Sequence, residues 1–209
     1  DLIYSTLISL EARIVQSREN SVEAFYRIVH NHPEAANLLK IYYRNKVTPE
    51  DRTRLHQLLI HGKNYFEAGV AAVNQAFKQP SINAKLQILR EACHIFGQGK
   101  GDALFFKTMT EEELDLLDTQ RNLELRVQSQ HRKLVGITLM DTIEYLIMLG
   151  LEEGADSRWT ESEINRIVKK FKVSEKSLWY LKIHCYSKKG NWDMLLRLAQ
   201  EKKSPVGYK

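Results

Sequence analysis

Apolar residues recur along most of the chain at intervals of three and four residues, which is the spacing of one face of an α-helix. Leu55, Leu58 and Leu59 show this spacing, and Ile164 and Ile167 repeat it far along the chain. No segment alternates strictly between apolar and polar residues, as a half-buried strand does. The pattern therefore predicts an all-α protein.

Residues that favour the beginning of a helix divide the apolar segments. Thr48 precedes a proline and two acidic residues, an order that suits a capping side chain, the first helical position and the positive end of the helix dipole. Residues 110–113 and 160–163 each place a glutamate three residues after a threonine, the capping-box pattern. We expect the first box to open the longest helix. Ser174 and Asn191 are expected to cap the last two helices.

The same spacing predicts which side chains face the core. In the helix that Asn64 caps, the predicted inward residues are Phe66, Val70, Val73 and Phe77. In the final helix they are Trp192, Leu195, Leu196 and Ala199. Residues 178–186 are apolar on two faces, which is typical of a helix that is covered from both sides.

Short turns join the predicted helices, and short turns favour antiparallel neighbours. Residues 62–65 and 189–192 are alike, since each combines a basic residue, an asparagine and an aromatic. Degenerate repeats of this kind are typical of stacked helical hairpins. The fold prediction is an α-solenoid of about ten stacked antiparallel helices, with residues 1–209 as a single module.

Composition supports a folded domain. The chain has 209 residues, of which 43% are hydrophobic and 27% charged, too apolar for a disordered tail. Its two cysteines cannot form a disulfide framework, so Cys93 and Cys185 are expected to be free thiols in a reducing compartment.

Residues 97–101, which are rich in glycine, are expected to form a flexible loop. Because the chain begins at Asp1 and ends at Lys209, we interpret it as a fragment of a longer protein.

Charge is distributed unevenly. Residues 158–209 carry 13 Lys and Arg against 5 Asp and Glu, whereas residues 1–157 carry 18 against 21. A basic third of the chain suits acidic membrane, nucleic acid or an acidic protein partner. It also suits the solvated side of basic helices. The basic pairs are dispersed and lack interleaved exposed aromatics, so no nucleic-acid partner is expected.

Catalytic and metal chemistry find no support in the sequence. The seven histidines lack the spacing of a zinc-protease helix, and the glycines at 97–101 follow a predicted helix and lack the Lys-Ser/Thr pair of a phosphate loop. The acidic residues at 111–118 suit the start of a helix, and the alternative is an acidic face that docks a basic partner. We therefore expect a protein with no catalytic residues, no metal and no cofactor.

Three blocks carry a resemblance to a known family. Residues 174–182 (Ser-Glu-Lys-Ser-Leu-Trp-Tyr-Leu-Lys), 191–193 (Asn-Trp-Asp) and 202–208 (Lys-Lys-Ser-Pro-Val-Gly-Tyr) resemble the C-terminal region of vacuolar protein sorting protein sixteen. The segments 1–7, 109–114 and 139–142 are compatible with the same alignment.

The resemblance implies a non-enzymatic subunit of the HOPS and CORVET tethering complexes. Such a subunit recruits the Sec/Munc-type SNARE chaperone, vacuolar protein sorting protein thirty-three, through its C-terminal α-solenoid. It acts on SNAREs indirectly in membrane fusion and vesicle-mediated protein transport. The resemblance further implies other HOPS and CORVET subunits as partners, a cytoplasmic protein peripheral on late endosome, vacuole or lysosome, and an N-terminal propeller that this chain lacks. The alternative function is a basic helical module in which residues 158–209 bind acidic membrane or nucleic acid.

Two groups of residues correspond by position to the family's docking surface. The first lies at the start of the predicted long helix, and the second lies early on the helix that Ser174 caps. The expected partner-binding residues are Met109, Glu112, Glu113, Lys176, Ser177 and Tyr180. Met109 is either an exposed contact or a residue that packs on its own helix. Trp179 is expected in the core.

Overall fold

The computed structural model describes residues 2–17, 19–45, 48–127, 133–152 and 154–201. Within these ranges the chain forms eleven α-helices and no β-strand, which confirms the all-α prediction. The residues divide into two compact units, 1–115 and 116–209, with the boundary inside the longest helix. Residues 202–208, which contribute to the family resemblance, lie outside the described ranges.

Seven helices begin in the first unit. They are α1 (Leu2–Ser17), α2 (Glu19–His30), α3 (Pro33–Asn45), α4 (Pro49–His61), α5 (Tyr65–Phe77), α6 (Ile82–Gln98) and α7 (Asp102–Val127). From α1 to α6 each helix packs against the next in the chain, and α2 also contacts α4. Packing between consecutive helices is characteristic of solenoids, in agreement with the predicted fold.

The second unit contains the end of α7 and four further helices. These are α8 (Leu139–Gly150), α9 (Ser157–Lys170), α10 (Glu175–Lys189) and α11 (Trp192–Glu201). Helix α8 packs against α9 and α10, and α10 packs against α11. Six apolar residues form the two predicted faces of α10, and none of them is exposed, which confirms that this helix is covered on both sides. They are Leu178, Leu181 and Cys185 on one face and Trp179, Ile183 and Tyr186 on the other.

The two turns that look alike in sequence share one geometry. Asn64 and Asn191 each donate their backbone N–H to the carbonyl five residues earlier, at 2.9 Å. The residues before them, Lys63 and Gly190, have left-handed φ angles of 54° and 66°. Each asparagine then accepts the N–H three residues later with Oδ1, at 3.4 and 3.2 Å. The turn therefore ends one helix with a Schellman bond and caps the next with the same residue.

The predicted N-terminal caps are confirmed at Thr48 and Ser174 and are wrong at Thr110 and Thr160. Thr48 and Ser174 each accept the N–H three residues later, at 3.2 and 3.0 Å. Thr110, however, lies inside α7, which begins at Asp102, and its hydroxyl donates to the carbonyl of Phe106 at 2.7 Å. A threonine whose hydroxyl donates a hydrogen bond to the carbonyl of the preceding turn can lie inside a helix and does not have to mark its start.

Thr160 shows the same behaviour. Helix α9 begins at Ser157 because Asp156 caps it by accepting the N–H of Trp159 at 3.0 Å. Thr160 is buried and donates to the carbonyl of Ser157 at 3.0 Å. The predicted loop at 97–101 is also shorter than expected, since α6 continues through Gln98.

The inward face of α5 consists of small residues, so the prediction of a phenylalanine-rich face was wrong. Phe66 and Phe77 are exposed, and the valines are half-buried. The buried residues of this helix are Ala68, Gly69, Ala72 and Ala76. Small side chains let α6 approach closely: a Cβ atom at Gly69 would lie 2.3 Å from the ring of Phe96.

Helix α11 is also rotated relative to the prediction. Met194, Leu195 and Leu198 pack against the core of the second unit. Trp192 is 70% exposed, and Leu196 and Ala199 are exposed as well. Of the four predicted inward residues, only Leu195 faces the core.

A buried glutamine of α7 holds the start of α8 and the residues just before it. Gln120 is fully buried, and its Nε2 donates to the carbonyl of Ile137 at 2.7 Å and to the hydroxyl of Thr142 at 2.8 Å. Its Oε1 accepts the N–H of Gly136 at 2.9 Å. A buried side chain with its polar atoms satisfied in this way holds residues 136–142 against α7.

Candidate partner-binding surfaces

The N-terminal half of α7 carries an exposed apolar surface, which we call the α7 patch. It consists of Phe66 from α5 with Leu104, Phe105, Phe106 and Met109 from α7, all of them exposed. Phe105 is 63% exposed and Met109 51% exposed. Contiguous apolar surface on a folded protein is characteristic of interaction sites.

Ring contacts join the α7 patch to the core beneath it. The ring centroid of Phe106 lies 5.1 Å from that of Phe66 and 5.8 Å from that of Phe105, both in edge-to-face geometry. It also lies 6.0 Å from that of Phe96, which is fully buried. The exposed rings therefore rest on a packed base, which limits the conformational entropy they would lose when a partner covers them.

The three residues predicted on α7 lie at the edge of this patch. Met109 belongs to it, and Glu112 and Glu113 follow on the same helix face, three and four positions further on. Glu112 is exposed and Glu113 half-buried. The Nζ atom of Lys107 lies 3.4 Å from Oε1 of Glu111, so the charge of Glu111, the acid next to Glu112, is partly neutralised. The patch thus has an apolar centre and an acidic border.

The three residues predicted on α10 form a second exposed surface, the α10 patch. Lys176 and Ser177 are exposed and Tyr180 is 50% exposed, and the spacing places all three on one side of the helix. The hydroxyl of Ser177 is 2.7 Å from that of Ser174, so it belongs to the N-terminal cap of α10. Trp179 is half-buried, and its ring contacts that of Tyr180 at 5.7 Å.

The six predicted residues divide between the two compact units. Met109, Glu112 and Glu113 belong to the first unit, and Lys176, Ser177 and Tyr180 to the second. Sequence reasoning missed Phe66 and residues 104–106 as part of the surface. The available signal was the apolar run at 103–106, since such a run cannot bury every side chain of one helical turn.

The basic part of the chain forms scattered contacts. Arg166 donates to Glu163, and the resulting hydrogen bond raises the pKa of the arginine. Lys188 lies 3.4 Å from Glu144. At least these two basic residues of 158–201 are therefore paired with glutamates and are not free to hold an anion.

Both cysteines are buried and free, as predicted. Burial raises the pKa of Cys93 from 9.0 to about 11, and the negative charge of Glu111 adds to the effect. Burial likewise raises the pKa of Cys185 to about 11, with a smaller contribution from Glu144. Both thiols are thus protonated at neutral pH, and the thiol form is a poor nucleophile and metal ligand.

No group of three or more His, Cys, Asp or Glu side chains within the described ranges has an arrangement that could hold a metal ion. Among the helices of those ranges, none combines the length and apolar character that crossing a bilayer requires.

Comparison with known proteins identifies the relatives of the chain. The family described as Vps16, C-terminal region, matches residues 1–209. Vacuolar protein sorting-associated protein 16 of Saccharomyces cerevisiae is 26% identical over 211 residues, which cover 98% of this chain and 23% of the yeast protein. The Drosophila melanogaster homologue is 23% identical over 100% of this chain and 22% of its own length.

A third relative matches a shorter segment more closely. The Dictyostelium discoideum homologue of vacuolar protein sorting-associated protein 16 is 34% identical over 98 residues, 47% of this chain and 10% of that protein. The chain therefore spans less than a quarter of the length of these relatives. Since the family match extends over residues 1–209, and the helical fold and the segments that carry the resemblance agree with it, the chain belongs to the Vps16 C-terminal region family.

Proposed function

We propose that this chain is the part of a tethering-complex subunit that binds the Sec/Munc-type SNARE chaperone, vacuolar protein sorting protein thirty-three. The α7 patch is the main contact in this proposal and the α10 patch a second one. The observation that carries the proposal is the exposed apolar surface at Phe105, Phe106 and Met109 on a chain of the Vps16 C-terminal region family.

The apolar centre of the α7 patch has the properties of a binding anchor. Aromatic side chains bury about 150–250 Å² each and dominate the energetics of most interfaces. Phe105 and Phe106 lie next to each other, and Met109 adds a flexible side chain that adapts to the shape of a partner. Covering these three residues removes apolar area from water without first unfolding any element.

The charged surroundings of the two patches define what the partner should present. The α7 patch is bordered by Glu112 and Glu113, whereas the α10 patch contains Lys176. A partner that contacts both patches would therefore place basic groups near the first and an acidic or neutral surface near the second. Such complementarity mainly increases the association rate and the specificity, since charges at the rim remain solvated.

Further roles follow from family membership and belong to the proposal. The chain spans less than a quarter of its relatives, so a longer protein would supply contacts to other HOPS and CORVET subunits. SNAREs would then be contacted indirectly, through the chaperone. The complex would associate peripherally with late endosome, vacuole or lysosome. We propose no catalytic step for any residue.

Co-expression with the chaperone tests the proposal. Residues 1–209 and the chaperone should elute together in size-exclusion chromatography at about 0.15 M and at about 1 M salt. Salt screens interactions between charges and leaves an apolar contact intact. Met109→Asp and Phe105→Asp should abolish co-elution. Ile41→Asp is the matched control, since Ile41 lies on α3 in the same unit and is 51% exposed, as Met109 is. Absence of a complex with the folded wild-type chain would overturn the proposal, and so would equal loss in the Ile41 variant.

The alternative is binding of acidic membrane or nucleic acid through residues 158–209. Counterion release would make such binding fall steeply with salt. Retention on anionic vesicles or DNA at low salt, with loss at high salt and no chaperone complex, would favour this alternative. Pairing of Arg166 and Lys188 with glutamates reduces the positive charge that such binding would use.

A further inference from the structure

A cavity of about 400 Å³ lies in the first unit, and none of the residues that line it belongs to either patch. The end of α2, one face of α3 and the turn between α4 and α5 line it. On α3 the lining residues are Pro33, Ala36, Asn37 and Lys40, whose spacing marks a single helix face. The volume falls within the range of about 300–1,000 Å³ that is usual for small-ligand sites.

The polar lining of this cavity is cationic. His30, Lys40 and Lys63 supply one imidazole and two ammonium groups, and Asn37 and Asn64 supply amides. The described residues that line it include no Asp or Glu. This positive region lies in residues 1–157, where acidic residues outnumber basic ones, so it is not part of the basic third of the chain.

Most of these polar groups are available for a ligand. Within the described ranges, Asn37, Lys40 and Lys63 form no ion pair and no side-chain hydrogen bond. Asn64 uses its Oδ1 to cap α5, which leaves its Nδ2 hydrogens as donors. The left-handed backbone at Lys63 belongs to the Schellman turn, and this turn holds Lys63 and Asn64 next to each other at the cavity.

We infer that this cavity binds a phosphate group of an anionic ligand, either a soluble inositol phosphate or the headgroup of a phosphoinositide lipid. Ammonium and amide N–H groups form the charge-assisted hydrogen bonds that hold phosphate oxygens. The absence of carboxylates in the described lining favours an anion, because no repulsive charge has to be overcome. His30, Asn37 and Lys63 are exposed, so the cavity is open on one side and the remainder of the ligand stays in solvent. This site does not depend on the proposed chaperone binding.

Titration of residues 1–209 with inositol 1,4,5-trisphosphate tests the inference. Calorimetry should show saturable binding, and amide NMR signals of Gly62, Lys63 and Asn64 should shift. The Lys40→Gln, Lys63→Gln double variant should bind about tenfold more weakly or worse, since it loses two charge-assisted hydrogen bonds. The matched control is Lys100→Gln with Lys169→Gln, which removes two exposed charges elsewhere and should bind like wild type.

Vesicles distinguish the two ligand sources. Flotation with phosphatidylcholine vesicles that contain a phosphatidylinositol phosphate, compared with phosphatidylcholine alone, reports headgroup binding. Binding to both probes, or to vesicles alone, with dependence on Lys40 and Lys63, assigns the site to a lipid headgroup. Binding to the soluble probe alone assigns it to a free inositol phosphate. Equal weakening in the two double variants, or no saturation by either probe at millimolar concentration, would overturn the inference, provided that circular dichroism shows all variants to be folded.

Discussion

Replacing Gly69 with alanine would place a methyl group inside the packed interface between α5 and α6. The new Cβ atom would lie 2.3, 2.5 and 2.6 Å from three ring carbons of Phe96, whereas ordinary van der Waals contact begins at 3.4 Å. Phe96 is fully buried, and its ring also packs against those of Phe66 and Phe106. The ring or the helix pair must therefore move by about 1 Å in an interior that is close-packed.

Two effects of opposite sign set the magnitude. Overpacking a core costs about 1–3 kcal/mol, and a displacement of this size in a fully buried ring belongs in the upper part of that range. Alanine in place of glycine within a helix stabilises by about 1 kcal/mol. The expected net loss is about 1–2 kcal/mol in the free energy of unfolding, or a fall in Tm of roughly 2–8 °C for a chain of this size.

Thermal and urea unfolding followed by far-UV circular dichroism would measure the change. Gly97→Ala is the matched control, because Gly97 is exposed on α6 and its Cβ would meet only the Lys107 side chain, at 3.7 Å. That variant should be equally stable or more stable, by up to about 1 kcal/mol. Adding Phe96→Leu to Gly69→Ala should relieve the clash, so the two changes should cost less than their sum. If Gly69→Ala and Gly97→Ala had the same stability, the reasoning about this close approach would be refuted.

Three further predictions concern other parts of the chain. Gln120→Met should lower the free energy of unfolding by about 2–4 kcal/mol in urea titration because it removes three hydrogen bonds of a buried side chain, whereas Gln98→Met, at an exposed position, should be nearly neutral. Ser174→Ala should cost about 1 kcal/mol through loss of the cap of α10, and a thermal melt that matches wild type would contradict this. Cys93 and Cys185 should resist maleimide at neutral pH. Folding raises both thiol pKa values from 9.0 to about 11. The stability that the protonated thiols contribute is therefore complete below pH 9 and is lost as the pH rises to about 11. A variant with alanine at both positions should show a smaller fall in the urea midpoint between pH 9 and pH 11.

Local signals predicted the helical elements well and the faces of the helices poorly. Thr48 and Ser174 cap helices because a hydroxyl next to free N–H groups acts within three residues, independently of tertiary contacts. Thr110 carries the same local pattern, yet it lies inside α7 because its hydroxyl can bond to the preceding turn instead. The choice between the two arrangements depends on whether the upstream residues, 102–109, are held in a helix by their neighbours.

The candidate site illustrates the same limit. Resemblance to the family led to Met109 and Tyr180, and both are about half exposed in the structure. Phe105 and Phe106 were missed because an apolar side chain in an amphipathic helix is expected inside, and periodicity carries no information about which apolar residues find no neighbour. Whether the six predicted residues bind a partner, and whether residues 1–209 act as one module, remain predictions.

The sequence by itself determined the all-α fold, the caps at Thr48 and Ser174 and the two asparagine turns, since each depends on residues within one or two turns of each other. Only the tertiary structure decided which apolar stripe of α5 and of α11 is buried. In α5 the small residues face α6 because they permit close approach, and Phe66 is left on the surface. In α11 the stripes that contain Leu195 and Trp192 are both apolar, and only the first packs against the core of the second unit. Burial is a property of the pair of packed surfaces, and the spacing of apolar residues in one helix describes only one of them.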